Sequence, residues 1–239
     1  MWDDPLCDVA SDGGECLALV WEQDALRDLG NSNALFVKSQ VYSQARDAIG
    51  NAALGAAFST LTWPLTLISL ADAIDGPWSI AMNRADKAGA VLAQVLSQRV
   101  HGHRPVTLIG YGMGARVIIT ALVELAKMGK VGHGIVETAV CLGTPYSASS
   151  HLWERASTVV SHRLINGYSE KDWILAFVFR SSSFSSISVA GLQPIAKTNP
   201  SNAVLENMDL TSVVGGHFAY REKLSLLVQV MSPNEVEGA

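Results

Sequence analysis

The chain has 239 residues, 49% of them apolar and only 16% charged, enough core-forming material for one large α/β domain or two small ones. A formal charge of −5 with no Lys/Arg stripe excludes a nucleic-acid surface. Three cysteines (Cys7, Cys16, Cys141) make an odd count without CxxC or metal-ligand spacing, a usage that suits a reducing compartment.

The opening stretch, MWDDPLCDVASDGGE, is acidic where a secretory signal would be basic and then apolar. CLALVW (16–21) reads as a short buried strand ending at Glu22. Helical spacing follows over 23–50, with a break expected at Gly30. Residues 48–71 contain no charged side chain and are long enough to span a bilayer. Pro64, two early glycines, several Ser/Thr and the lack of a basic flank favour a buried or lid-like helical pair over an interfacial element or a true span. DGPW (75–78) is expected to start a helix, with its proline in the first turn, running to about Gln98.

From residue 104 the rhythm changes. PVTLIG, IVETAVCLG, RLING and ISVAGL read as strands, alternating with helices near 113–128, 149–160, 170–180 and 218–231. Near-continuous apolar strands separated by helices predict a parallel sheet covered on both faces. Cys141 falls within a strand and is expected to be a buried, inert thiol. Chemistry on such sheets collects in the loops at the carboxyl ends of the strands.

VTLIGYGMGARVI (106–118) passes through one of those loops. Gly110, Gly112, Gly114 and Ala115 satisfy the dinucleotide pattern G-x-G-x-x-[GA]. That reading is disfavoured, because about a hundred residues precede the strand and no acid ends the next one. The better match is a nucleophile elbow, G-x-S-x-G, in which a serine sits on a sharp strand-to-helix turn between small residues. Gly112 then stands where the serine belongs. Glycine adopts positive φ without penalty, whereas a side chain there costs roughly 1–3 kcal/mol, so the turn persists without its nucleophile.

The remaining groups of a hydrolytic triad should follow in the order acid, then base. Asp172 lies just past RLING in YSEKDW, and His217 follows a Gly-Gly pair in SVVGGHFAY. The separations from Gly112 to Asp172 and on to His217 are 60 and 45 residues, one or two βα units each. Asp172 would orient the imidazole, His217 would carry the proton, and the Met113 N–H would donate to the oxyanion. Taken singly, Asp172 is as readily a helix-terminal acid and His217 a structural histidine; their order and spacing favour catalysis. Asp209 is the reserve acid. Ser147, Thr144 and Ser212 are the available substitute nucleophiles, and none sits on an elbow. The five remaining histidines (His101, His103, His133, His151, His162) show no metal-like pattern, and no metal or organic cofactor is expected.

Several stretches together resemble a known family, the α/β-hydrolase-like transmembrane and coiled-coil domain-containing protein 4 group, also described as domain of unknown function 726. They are LALVWE (17–22), LTWPLTLISLADAIDGPW (61–78), RPVTLIGYGMGARVI (104–118) and GIVETAVCLGTP (134–145), followed by WERASTVVSHRLINGYSEKDWILAFVFR (153–180), VAGLQP (189–194) and ENMDLTSVVGGHFAYREKL (206–224). The resemblance covers about residues 16 to 228. It implies an α/β-hydrolase fold with a Ser-Asp-His triad acting on esters or lipids, with acid and base at Asp172 and His217 and the nucleophile at Gly112. Similar proteins carry a further strand and a glycine-containing loop ahead of LALVWE, the usual source of a second oxyanion donor.

The resulting expectation is a single α/β-hydrolase-like domain over 1–239, with an apolar helical cap or membrane-facing insertion at about 31–100. It belongs to the esterase/lipase lineage and lacks the acyl-enzyme route. The alternative is a pseudoenzyme that binds lipid or docks a protein at a membrane. An acyl-ester or lipid ligand, no nucleic acid, and an intracellular location, membrane-associated or cytoplasmic, complete it.

Overall fold

The computed structural model describes residues 15–38, 65–182, 188–199 and 202–231. Its centre is a four-stranded parallel sheet in the order β1-β2-β3-β4, formed by Val106–Tyr111, Val136–Leu142, Val160–Tyr168 and Leu205–Asp209. Helices α1 (Gln23–Lys38) and α2 (Leu65–Ser97) precede the sheet, and α3 (Met113–Lys127) crosses from β1 to β2. Helix α4 (Ser150–Ser157) leads into β3, α5 (Trp173–Ser182) follows it, and α6 (Ala219–Glu222) and α7 (Leu224–Met231) come after β4.

Alternation along the strands builds two cores, because successive side chains point to opposite faces. On β2, Ala139 and Cys141 join one cluster with Ala115, Ile119 and Leu122 of α3, Leu96 of α2 and Trp153 of α4. Val140 and Leu142 face the other side, with Ile165 of β3, Tyr220 of α6, and Leu224 and Leu227 of α7. Helices therefore cover both faces, and the fold is α/β. A third cluster joins Trp78, Ala81 and Ala85 of α2 to Met113 and Val117 of α3 and to Ile174, Phe177 and Val178 of α5. The Cys141 thiol is fully buried, and loss of hydration pushes its pKa up to about 12, so it stays protonated.

Four local expectations change, the first being the break at Gly30: α1 runs through it unbroken, the cost of one helical glycine being only about 1 kcal/mol. Residues 15–22 form no strand: Leu17, Leu19 and Val20 are 73%, 55% and 69% exposed. Apolar composition favours burial but supplies no ladder partner, and among the described residues this stretch pairs with no strand. Of ISVAGL, Ile187 lies outside the described residues, and the described part supplies a bridge, Ser147 to Val189, and a short 3-10 turn over Ala190–Leu192; the fourth strand is Leu205–Asp209 instead. Pro77 lies inside α2 rather than in its first turn. Burial of Trp78, Ala81 and Ala85 on one face holds that helix despite the backbone hydrogen bond a proline forfeits. Of the uncharged segment 48–71, residues 65–71 belong to α2 and the rest lies outside the described residues, as does Cys7. Among the described residues, no helix is long and apolar enough to cross a membrane.

Candidate active site

β1 ends at Tyr111, and the chain turns at Gly112 with φ 53° and ψ −125° before entering α3. The turn is held by its backbone. The Gly112 N–H donates to Leu142 O at 2.9 Å, and Gly112 O accepts from the Arg116 N–H at 3.2 Å. The strand-helix approach is tightest at Gly110, where a Cβ would lie 2.8 Å from the Gly114 carbonyl carbon and 2.9 Å from the Ala115 nitrogen. Gly114 differs: nothing stands within 4 Å of its Cβ position, so only one of the two flanking glycines is required by packing.

Arg116, in the first turn of α3, braces this corner. It makes a bidentate pair with Asp86 of α2 (Nε to Oδ1 2.8 Å, Nη2 to Oδ2 2.7 Å) and donates through Nη1 to Pro145 O at 2.6 Å. Its guanidinium lies over the Tyr146 ring, and Thr120 Oγ1 also donates to Asp86. One cation thus joins α2, the elbow helix and the loop after β2, in the geometry that favours arginine over lysine.

Asp172 immediately precedes α5 and is fully buried. Its Oδ1 accepts from the Leu175 N–H at 3.0 Å, a helix cap, and its Oδ2 meets His217 Nδ1 at 2.9 Å. The helix-terminal and histidine-partner readings of this residue hold together, one oxygen for each. Ser169 ties the two loops: its Oγ donates to Val214 O at 2.8 Å, and its backbone N–H donates to Gly191 O. His217 retains 15% of its side-chain exposure, with its ring edge-on to Phe218 and Tyr220. Burial pulls the imidazole pKa down. The charge of Asp172 and the hydrogen bond to it outweigh that pull, and the net displacement is upward from 6.5.

The elbow faces this pair. A Cβ at Gly112 would lie 3.8 Å from both Nε2 and Cε1 of His217, and beyond its own chain neighbours nothing else among the described residues comes within 4 Å. Met113 opens α3, so its N–H has no intrahelical acceptor. Gly112, Met113, Asp172 and His217 therefore converge at the carboxyl edge of the sheet. A pocket of about 310 Å³ opens beside the imidazole, lined by Trp173, Ile174, Gly215, Gly216, His217, Phe218 and Ala219.

The reserve candidates lie elsewhere. Asp209 accepts from the Thr211 N–H at 2.8 Å at the end of β4. Ser147 Oγ accepts from the Ser149 N–H, Ser212 is exposed, and Thr144 is buried with its hydroxyl unpartnered among the described residues. His133 Nδ1 sits 2.8 Å from Gly129 O. Among the described residues, no cluster of His, Cys, Asp or Glu has the makings of a metal site.

Tyr220 is a component the motif reading missed. It is fully buried, its hydroxyl has no partner among the described residues, and its ring occupies the space a Cβ at Gly143 would need. Burial, with the Asp172 carboxylate adding to it, raises this phenol far above its usual range. The one sequence signal was an aromatic three residues after the histidine.

With this geometry in view, the chain can be placed among known proteins. Residues 3–233 match the family described as "Protein of unknown function (DUF726)", and the chain belongs to that family. It is 37% identical over 211 residues to an uncharacterized membrane protein of Caenorhabditis elegans, covering 88% of this chain and 34% of that one. It is 34% identical over 216 residues to "Probable lipase MIL1" of Saccharomyces cerevisiae (90% of this chain, 20% of that one). It is also 42% identical over 183 residues to "Transmembrane and coiled-coil domain-containing protein STS1" of Oryza sativa subsp. japonica (77% and 26%). The chain spans about a third or less of the length of these relatives. No solved structure matches it significantly.

Proposed function

We propose that this chain is an α/β-hydrolase-type domain of the esterase/lipase lineage. In this reading Asp172 and His217 are the acid and base, Met113 is an oxyanion donor, and Gly112 occupies the nucleophile's position. One observation carries it: the imidazole is bound to Asp172 through Nδ1 and turns Nε2 toward a β-carbon position on a strand-to-helix elbow. One C–O bond beyond that position, a serine oxygen would be within hydrogen-bond reach of Nε2, the arrangement that activates a hydroxyl for acyl transfer. Without the hydroxyl, the acyl-enzyme route is absent.

Lipid or carboxylic esters are the substrate class, supported by the relative named a probable lipase and by the pocket that Trp173, Ile174 and Phe218 line. Relatives named as membrane proteins support work at a membrane surface. The match to a transmembrane and coiled-coil domain-containing protein agrees with the finer family resemblance drawn from the motifs. In this reading residues 1–239 act as one domain, with about 31–100 as an apolar cap. The test is Gly112→Ser followed by a fluorophosphonate probe. Labelling of Ser at 112 is the expected result, and a folded but unlabelled G112S protein would overturn the assignment.

The same pocket favours a second reading, a pseudoenzyme that retains a lipid or docks a partner. Purified protein that carries no lipid and ignores liposomes would count against it.

A further inference from the structure

The geometry points to a chemistry that needs no serine: water placed at the Gly112 corner by His217 Nε2 attacks an ester carbonyl directly. This inference rests on the reading of Gly112, Asp172 and His217 given above. The elbow glycine leaves a hydroxyl-sized space in front of the imidazole, since a Cβ there would meet only Nε2 and Cε1, each at 3.8 Å. A water oxygen lying between that point and the ring, farther from the Gly112 Cα than a bonded atom would be, comes within hydrogen-bond reach of Nε2. The imidazole is suited to be its base. With the Nδ1 proton engaged by Asp172 Oδ2 at 2.9 Å, the lone pair of the neutral ring lies on Nε2. Asp172 cannot swing away, because its second oxygen is held by the Leu175 N–H.

Burying a carboxylate completely costs several kcal/mol, and capping a helix needs only one of its oxygens. The second oxygen serves the imidazole. The Met113 N–H begins a fifteen-residue helix, so a donor and the positive end of a helix dipole lie beside the same corner. The 310 Å³ pocket shares His217 with this corner and is otherwise lined by Trp173, Ile174, Gly215, Gly216, Phe218 and Ala219, room enough for part of an ester.

The step balances without a further reactant. Nε2 removes a proton from water as the water oxygen bonds to the carbonyl carbon, and the carbonyl π pair moves to oxygen, toward the Met113 N–H. The intermediate then collapses, the C–O bond to the alcohol breaks, and the Nε2 proton passes to the departing alkoxide. Acid and alcohol leave, and His217 is neutral again.

The full chain is tested with p-nitrophenyl acetate. Hydrolysis above buffer is expected, without a burst and without an acetylated protein species in quenched mass spectra. His217→Gln and Asp172→Asn should each lower the rate about 10²-fold, the usual scale of general-base assistance, while His151→Gln leaves it unchanged. Gly112→Ala should also abolish it, because the methyl group lies in van der Waals contact with Nε2 and excludes the water while leaving the Asp172–His217 hydrogen bond in place. Circular dichroism checks that this variant is folded; if it is not, the His217 and Asp172 variants decide. A wild-type rate equal to buffer, or one that survives His217→Gln, overturns the inference. So does a rate unchanged in heavy water, which would assign the attack to the imidazole itself. Fluorophosphonate labelling of G112S with an inert wild type sinks the water step alone. An unlabelled, folded G112S with an active wild type sinks the serine lineage alone.

Discussion

The two halves of the site are built from different material. On one side Asp172 and His217 are side chains set in place by other side chains and caps: Leu175 and Ser169 fix the acid loop, and Val214 receives the Ser169 hydroxyl. On the other side Gly112 contributes backbone only, held by Leu142 O and by the first helical bond to Arg116. The corner keeps its shape because nothing in that shape depends on a side chain at 112. In the proposed reading, proton handling and covalent attachment are therefore separable, with Asp172 and His217 present for the first and no side chain at Gly112 for the second.

Breaking the side-chain half should have the largest effect on stability. Asp172→Ala removes a helix cap and strips His217 of its partner, and is expected to cost about 3 kcal/mol in urea unfolding. Asp172→Asn keeps an oxygen for Leu175 and should cost less; an equal cost would mean that the cap, not the histidine, holds this loop. The backbone half should break at Gly110. A methyl there meets the backbone of Gly114 and Ala115 below 3 Å, and Gly110→Ala should cost about 1–3 kcal/mol by overpacking.

pH sharpens the same division. The His217 pKa is raised on folding, so the pair's contribution to stability is complete below 6.5 and fades as pH rises through the folded-state value. Ester hydrolysis needs the neutral ring and should rise over that same interval. Urea midpoints measured from pH 6 to 9 should fall through this contribution in the wild type, and His217→Gln should remove it. A hydrolysis rate that falls as pH increases would break the link. The smallest effect is expected at Gly114, where a methyl meets nothing. Gly114→Ala should be neutral or stabilising by up to about 0.5 kcal/mol, seen as an unchanged or slightly higher Tm.

Much of this site was legible before any coordinates. The glycine-spaced turn after an apolar strand, an acid past a later strand and a histidine past the last one are local signals, and their chain order carries the triad logic. What stayed hidden joins residues far apart in sequence. Arg116 grips Asp86 thirty positions earlier, and Ser169 reaches Val214 forty-five positions later. No window of sequence contains both ends of such a contact. Tyr220 escaped notice for a related reason: an aromatic in a helix reads as core, and only packing shows that its ring stands beside the catalytic candidates. CLALVW erred in the opposite direction, because its apolar residues predict burial without naming what would bury them.

By itself the sequence determined the parallel α/β rhythm, the bend at 112 and the absence of a hydroxyl there, since hydrophobic period and glycine content are properties of the chain alone. Only the tertiary structure decided that one carboxylate oxygen caps a helix while the other holds His217, and that the imidazole faces the bare corner. Those facts depend on where loops sixty and forty-five residues apart come to rest, which is set by the packing of helices on both faces of the sheet.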